Sequence, residues 1–190
     1  MGRIIYSLTD TQWAEVDAID GWLFRDEAEQ LYRLCDGPWI EIGSWKGKST
    51  IVLAQRHEGW AVDWFQGSPE HPDGTDTFRD FLENTYRYGD KIHVVAGRFE
   101  DVVDKTPDEV QLIFFDAAHE YEPTKQAFDL YAHKVRSGGY IIFHDAWDEG
   151  GNMESTGPWP GVNQFVKELM EDPNWEYYET AVRNAAFKRV

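Results

Sequence analysis

The chain has a single cysteine, Cys35, so no disulfide can form within it, and a reducing cytoplasm is the expected compartment. Positive charge is also scarce: 18 Lys and Arg stand against 35 Asp and Glu, leaving a net charge of −17. Nucleic acids and anionic membranes are recognised through basic faces, so neither is expected as a partner. No apolar run approaches a membrane span, and the start, Met1-Gly2-Arg3-Ile4-Ile5-Tyr6, lacks the long apolar centre of a signal peptide. The dinucleotide pattern G-x-G-x-x-G and the Walker A phosphate loop are both missing. So are internal repeats and low-complexity tracts. What remains is an acidic, aromatic-rich chain of 190 residues, enough for one domain with a full core. We expect that domain to span 1–190, with a helical segment at 1–37 and an α/β core at 38–190.

The stretch Trp39-Ile40-Glu41-Ile42-Gly43-Ser44-Trp45-Lys46-Gly47-Lys48-Ser49-Thr50 organises the rest. A short run of β-formers stops at Gly43, and a helix opens after Gly47. Gly43 permits a turn that a Cβ would obstruct, and Gly47 lets the backbone approach whatever lies across the strand end. The free N–H groups of the new helix suit an anionic group. Glu41 is costly near the end of a buried strand unless it is paired. It can accept from the loop's N–H groups or hold a cationic amine. A plain β–α turn with a water-facing Glu is the alternative.

Before this stretch, Thr9-Asp10 caps a helical segment carrying Trp13, Val16, Ile19, Trp22, Leu23 and Phe24, which continues from Asp26 to Leu34. After it, strands are expected at Trp60–Phe65, Ile92–Ala96, Leu112–Asp116 and Tyr140–Asp145, with Ser137-Gly138-Gly139 turning the chain before the last. Helices alternate with them: Ser49–Gln55, a segment through Phe78 to Tyr86, a short one at Phe99–Val103, and Glu122–Val135. This alternation implies a parallel sheet with helices on both faces. Gly150 to Pro160 reads as a long loop, Gly161–Met170 as a last helix, and Trp175–Thr180 with Ala185–Val190 as an antiparallel hairpin closing one edge. The fold expected is a Rossmann-like three-layer α/β sandwich, with a mostly parallel seven-stranded sheet and a C-terminal antiparallel hairpin.

Three of the strands end in an acid, Asp63, Asp116 and Asp145, and all three belong at the edge where such sheets bind ligands. Asp63 falls about twenty residues after the glycine turn, where a carboxylate holds ribose hydroxyls of an adenosine-containing cofactor; a surface acid is the alternative. Asp116, His144 and Asp145 offer oxygen and nitrogen donors to a divalent cation. Neighbours on a strand face opposite ways, so His144 and Asp145 can both bind only if the strand has ended. Alternatively, His144 is structural and the aspartates alone are ligands. His119, three residues beyond Asp116, is a candidate general base. Trp45, Trp64 and Trp147 lie on or beside this edge, where an indole can stack on adenine or an apolar substrate.

Taken together these segments resemble a class I S-adenosylmethionine-dependent methyltransferase. Glu41-Ile42-Gly43 with Gly47-x-Ser49 is similar to the glycine motif of small-molecule O-methyltransferases. Val62-Asp63-x-Phe65-x-Gly67-Ser68-Pro69-Glu70, Phe115-Asp116-x-x-His119-x-Tyr121 and Gly138-Gly139-Tyr140-Ile141-Ile142-Phe143-His144-Asp145 resemble the macrocin and mycinamicin sugar O-methyltransferase group, of the family 24 type. The resemblance implies a cofactor site made of Glu41, Ile42, Gly43, Trp45, Gly47, Ser49, Asp63, Trp64, Gly97, Arg98 and Phe99. It implies metal ligands Asp116, His144 and Asp145, with Mg²⁺ the expected ion, and catalytic roles for His119 and Asp116. Arg98 and His144 stand where a small or acidic residue and an acid are more usual. The implied reaction is methylation of a small-molecule or sugar hydroxyl. A non-catalytic cofactor-binding or partner domain, an NAD or nucleotide-sugar enzyme and a metal-dependent hydrolase are the rival readings, and self-association is left open.

Overall fold

The apolar runs form one seven-stranded sheet in the computed structural model, which describes residues 6–68, 71–155 and 157–190. Pro69 and Glu70 of the Asp63 segment, and the first five residues, lie outside the described ones. The strands are β1 (Trp39–Ile42), β2 (Gly59–Asp63), β3 (Ile92–Ala96), β4 (Val110–Phe115), β5 (Val135–Phe143), β6 (Trp175–Ala181) and β7 (Asn184–Arg189). Their order across the sheet is β3-β2-β1-β4-β5-β7-β6. The first five are parallel, and β7 lies antiparallel between β5 and β6. The chain runs outward from β1 to β3 and then returns to β4 on the other side of β1. That reversal opens a crevice beyond the carboxyl ends of β1 and β4.

Alternation along the strands divides the core into two layers. Ile40, Ile42, Ile113, Phe115, Ile141 and Phe143 face one side, packed with residues of α5 (Tyr121–Tyr131) and α6 (Pro160–Leu169). Trp39, Leu112, Phe114, Tyr140 and Ile142 face the other, packed with α1 (Asp10–Asp17), α2 (Arg25–Leu34), α3 (Lys48–Ala54) and α4 (Phe78–Thr85). β1 and β4 are buried throughout, as central parallel strands covered on both faces must be. No helix among the described residues is long and apolar enough to cross a membrane.

Several expectations are corrected. The N-terminal helix breaks: α1 ends at Asp17, α2 begins at Arg25, and the aromatic run at 18–24 is a loop with Trp22 exposed. Asp20-Gly21 interrupts the helical spacing, and Gly21 takes a positive φ that a helix cannot contain. Ser137-Gly138-Gly139 lies within β5, which carries a register irregularity against β4 instead of a turn. The strand then stops at Phe143, so His144 and Asp145 lie beyond it. The helix expected at 99–103 is two short 3₁₀ turns.

Candidate active site

A cavity of about 870 Å³ occupies the crevice, at the upper end of ligand-pocket sizes. Its wall is built by the turn after β1. Gly43 has φ +94°, and a Cβ there would stand 2.4 Å from the backbone oxygen of Asp116, so β1 and β4 approach closely only because the residue is glycine. Asp63 then fixes the turn. Its Oδ2 accepts from the backbone N–H groups of Ser44 and Trp45, both at 2.7 Å, and its Oδ1 from Phe65 N–H at 2.6 Å. Burial raises the Asp63 pKa above its ordinary value, opposed by those three N–H donors. Among the described residues, non-glycine positive φ occurs at Trp45, Phe65, Asp145 and Val182. The first three adjoin this crevice, a clustering typical of sites that hold strained backbone.

Of the residues expected to hold a cofactor, Ile42, Gly43, Trp45, Ser49, Asp63, Trp64, Gly97, Arg98 and Phe99 line the cavity. Trp45 stacks on His71 with ring centres 4.2 Å apart, and the Arg98 guanidinium lies 4.3 Å from the Trp64 ring. Glu41 and Gly47 are not among the lining residues. Glu41 sits between Ile40 and Ile42, so alternation turns it to the opposite face of the sheet, where Thr50 Oγ1 donates to it. Gly47 instead makes room for Thr85 and Phe81 of α4.

Burial of Glu41, only partly offset by hydrogen bonds from Ser49, Thr50 and Ser44, pushes its pKa up from 4.5 to about 7. Below pH 4.5 folded and unfolded chains both hold this proton. Between 4.5 and about 7 only the folded chain does, so stability falls as pH rises through that window. The displacement corresponds to roughly 3 kcal/mol. Glu41→Gln should therefore gain about that much on the wild type between pH 4.5 and pH 8 in urea unfolding. A difference that does not change with pH would rule the buried carboxyl out as its source.

On the other side of the crevice Asp116, His144 and Asp145 converge. His144 Nδ1 lies 3.0 Å from Asp116 Oδ1 and 3.2 Å from Asp145 Oδ2, and His119 Nε2 is 3.4 Å from the same Asp145 oxygen. The His119 ring stacks on Trp159 at 4.1 Å. Two residues not expected from the sequence complete the cluster. Arg183, in the turn between β6 and β7, pairs its Nη1 with Asp145 Oδ1 at 2.9 Å. Glu27 of α2, fully buried, places Oε2 3.3 Å from His144 Nε2. Burial works against charge on His144, but the Asp116 charge and hydrogen bonds to Asp116, Asp145 and Glu27 outweigh it and raise the imidazole pKa well above its ordinary value. Burial likewise opposes charge on Asp145, yet bonds from His119 and His144 and the charges of His144 and Arg183 hold its carboxyl well below the usual range.

The donor set suits a divalent cation. Two ligands at right angles on an ion with ~2.1 Å bonds lie about 3.0 Å apart, the spacing seen around His144 Nδ1. With His144 neutral, as a ligand must be, the carboxylates of Glu27, Asp116 and Asp145 against the Arg183 guanidinium leave two net negative charges for such an ion to neutralise; without an ion, a proton on His144 offsets one of them.

With this geometry in hand, comparison with known proteins is decisive. Residues 40–146 match a family described as "Methyltransferase domain". The chain belongs to that family. A methyltransferase domain of class I fold accounts for the glycine turn, the strand-end acids and the order of the sheet. An uncharacterised protein of Acanthamoeba polyphaga mimivirus is 32% identical over 147 residues, 70% of this chain, and the chain spans only 61% of that relative's length. Among solved structures, the O-methyltransferase NovP superposes with a TM-score of 0.68 at 20% identity, covering 87% of this chain and 80% of its own. A methyltransferase from Podospora anserina bound to S-adenosylhomocysteine gives 0.70 at 16% identity, covering 98% and 91%. The methyltransferase domain thus shares its Rossmann-like architecture with both. The match at 40–146 spans β1 to β5 but includes neither α2 nor the β6–β7 turn, from which Glu27 and Arg183 reach the cluster.

Proposed function

We propose that this domain transfers a methyl group from S-adenosylmethionine to a hydroxyl oxygen of a small molecule, assisted by a divalent cation at Asp116, His144 and Asp145. One observation carries the reading: the turn fixed by Asp63 and the cluster of His119, Asp116, His144 and Asp145 line one continuous cavity. NovP is an O-methyltransferase, and the Podospora protein holds S-adenosylhomocysteine, which supports both the reaction class and the cofactor.

When bound, S-adenosylmethionine supplies a methyl group on a positively charged sulfur. A divalent ion supplies Lewis acidity that lowers the pKa of an acceptor hydroxyl. The protein's part is to hold and to deprotonate. Ile42, Gly43, Trp45 and Ser49 would hold the cofactor's amino-acid end, Asp63 and Trp64 its ribose, and Gly97, Arg98 and Phe99 its base. Asp63 keeps the turn rigid, so the reacting atoms meet without reorganising it. His119 takes the hydroxyl proton, held flat against Trp159 and oriented towards Asp145. A single functional domain over 1–190, a cytoplasmic site of action and a neutral small-molecule acceptor belong to the same reading.

Calorimetric titration with S-adenosylhomocysteine tests it, and one-to-one binding in the micromolar range is expected. No binding, with or without divalent ion, would sink the assignment. His119→Ala should lower kcat by about 10²-fold while leaving cofactor affinity within threefold. Affinity lost along with turnover would count against a proton-transfer role.

A further inference from the structure

We infer that Glu27, on helix α2, is a positioning residue that holds His144 through Nε2 and so commits Nδ1 to the cation, giving a mixed oxygen and nitrogen donor set that favours Mn²⁺ over Mg²⁺. The inference rests on the proposed reading of Asp116, His144 and Asp145 as cation ligands.

The two nitrogens of the His144 ring face different surroundings. Nδ1 has two carboxylate oxygens around it, Asp116 Oδ1 at 3.0 Å and Asp145 Oδ2 at 3.2 Å, spaced as neighbouring ligands of one ion would be. Nε2 has one, Glu27 Oε2, at 3.3 Å. That carboxylate cannot turn away. Its Oε2 also accepts from Phe24 N–H at 2.8 Å, its Oε1 accepts from Arg183 N–H at 3.0 Å, and the side chain is sealed from solvent. A fixed acceptor on the Nε2 side requires the ring to present N–H there. In the neutral ring, the form that ligates a cation, the lone pair is then on Nδ1, beside the two aspartates. Histidines that ligate metals commonly pass their second N–H to a carboxylate in this way.

Glu27 therefore acts on the centre twice, by orienting the ring and by adding one of its net negative charges. The nitrogen donor sets the preference. Carboxylates and water suit Mg²⁺, which sheds its waters reluctantly, whereas imidazole strengthens binding of first-row transition ions.

The test needs no turnover. Mn²⁺ is titrated into wild type, Glu27→Gln and Glu27→Ala, with free ion followed by electron paramagnetic resonance, Mg²⁺ added as competitor, and S-adenosylhomocysteine affinity measured by calorimetry on the same samples. Wild type should bind Mn²⁺ at least roughly tenfold more tightly than Mg²⁺. Both variants should lose about 10- to 100-fold in Mn²⁺ affinity, with S-adenosylhomocysteine affinity held within threefold. Equal losses for ion and cofactor would reduce Glu27 to a helix-holding residue and overturn the inference. Unchanged Mn²⁺ affinity, or Mg²⁺ bound as tightly as Mn²⁺, would overturn it as well. Wild type that binds neither ion nor cofactor would overturn the methyltransferase reading itself. If neither variant folds, proton NMR of the Co²⁺-loaded wild type decides. A shifted imidazole N–H protected from solvent exchange supports the pairing, and a rapidly exchanging one overturns it.

Discussion

Asp145→Asn is expected to lower kcat by about 10³-fold and leave S-adenosylhomocysteine affinity within threefold. The Asp145 carboxylate joins three side chains of the cluster. Its Oδ1 pairs with Arg183 Nη1, and its Oδ2 approaches both His144 Nδ1 and His119 Nε2. The amide keeps the volume and one oxygen but removes the charge, and with it a proposed cation ligand, the orientation of the proposed base and half of a mostly buried ion pair. Breaking such a pair from one side costs about 3–5 kcal/mol when the partner stays buried. Arg183 still has Glu27 nearby, with Nε 3.9 Å from Oε1, so the loss of stability should fall at the low end. Single-turnover formation of S-adenosylhomocysteine and thermal unfolding measure the two effects separately. A kcat within tenfold of wild type would show that the chemistry happens elsewhere in the cavity.

Asp63→Ala is expected to weaken S-adenosylhomocysteine binding by about 100-fold. The structure gives Asp63 a second task besides the ribose contact expected from its place after β2. It gathers the N–H groups of Ser44, Trp45 and Phe65, and its loss leaves these donors without their acceptor. Bonds to a charged group are worth about 1.5–3 kcal/mol each, so the turn should loosen and the melting temperature fall. Asp63→Asn should fall between, since the amide oxygen still accepts while its NH₂ faces donors. Binding within threefold of wild type in Asp63→Ala would mean that neither the turn nor the ribose needs this carboxylate.

Much of this arrangement could be read before any coordinates. A continuous apolar run marked β4, because central parallel strands hide both faces, and a run of β-formers stopping at Gly43 marked β1. Strand-end acids marked the crevice, because every parallel strand in such a sheet points its carboxyl end the same way. The direction of Glu41 was also within reach: period-two alternation sets it opposite Ile40 and Ile42, on the side of α3, where Thr50 donates to it. The loop at 18–24 was masked by Ile19, Trp22 and Leu23, whose spacing imitates a helix. Glu27 and Arg183 left no signal at all. One reads as an ordinary acid in the first turn of a helix and the other as a surface base in a hairpin. Their burial is a product of tertiary pairing between segments 156 residues apart, which no local pattern encodes.

The seat of β7 between β5 and β6 ties the far edge of the sheet to the acid cluster. Arg183 reaches Asp145 from the turn beside β7, so that pair depends on the seating of the hairpin against β5. One edge hairpin thus carries part of the charge balance of the cluster: a chain that frays at β7 takes Arg183 away from Asp145 while leaving the hydrogen bonds between Asp63 and the turn after β1 in place.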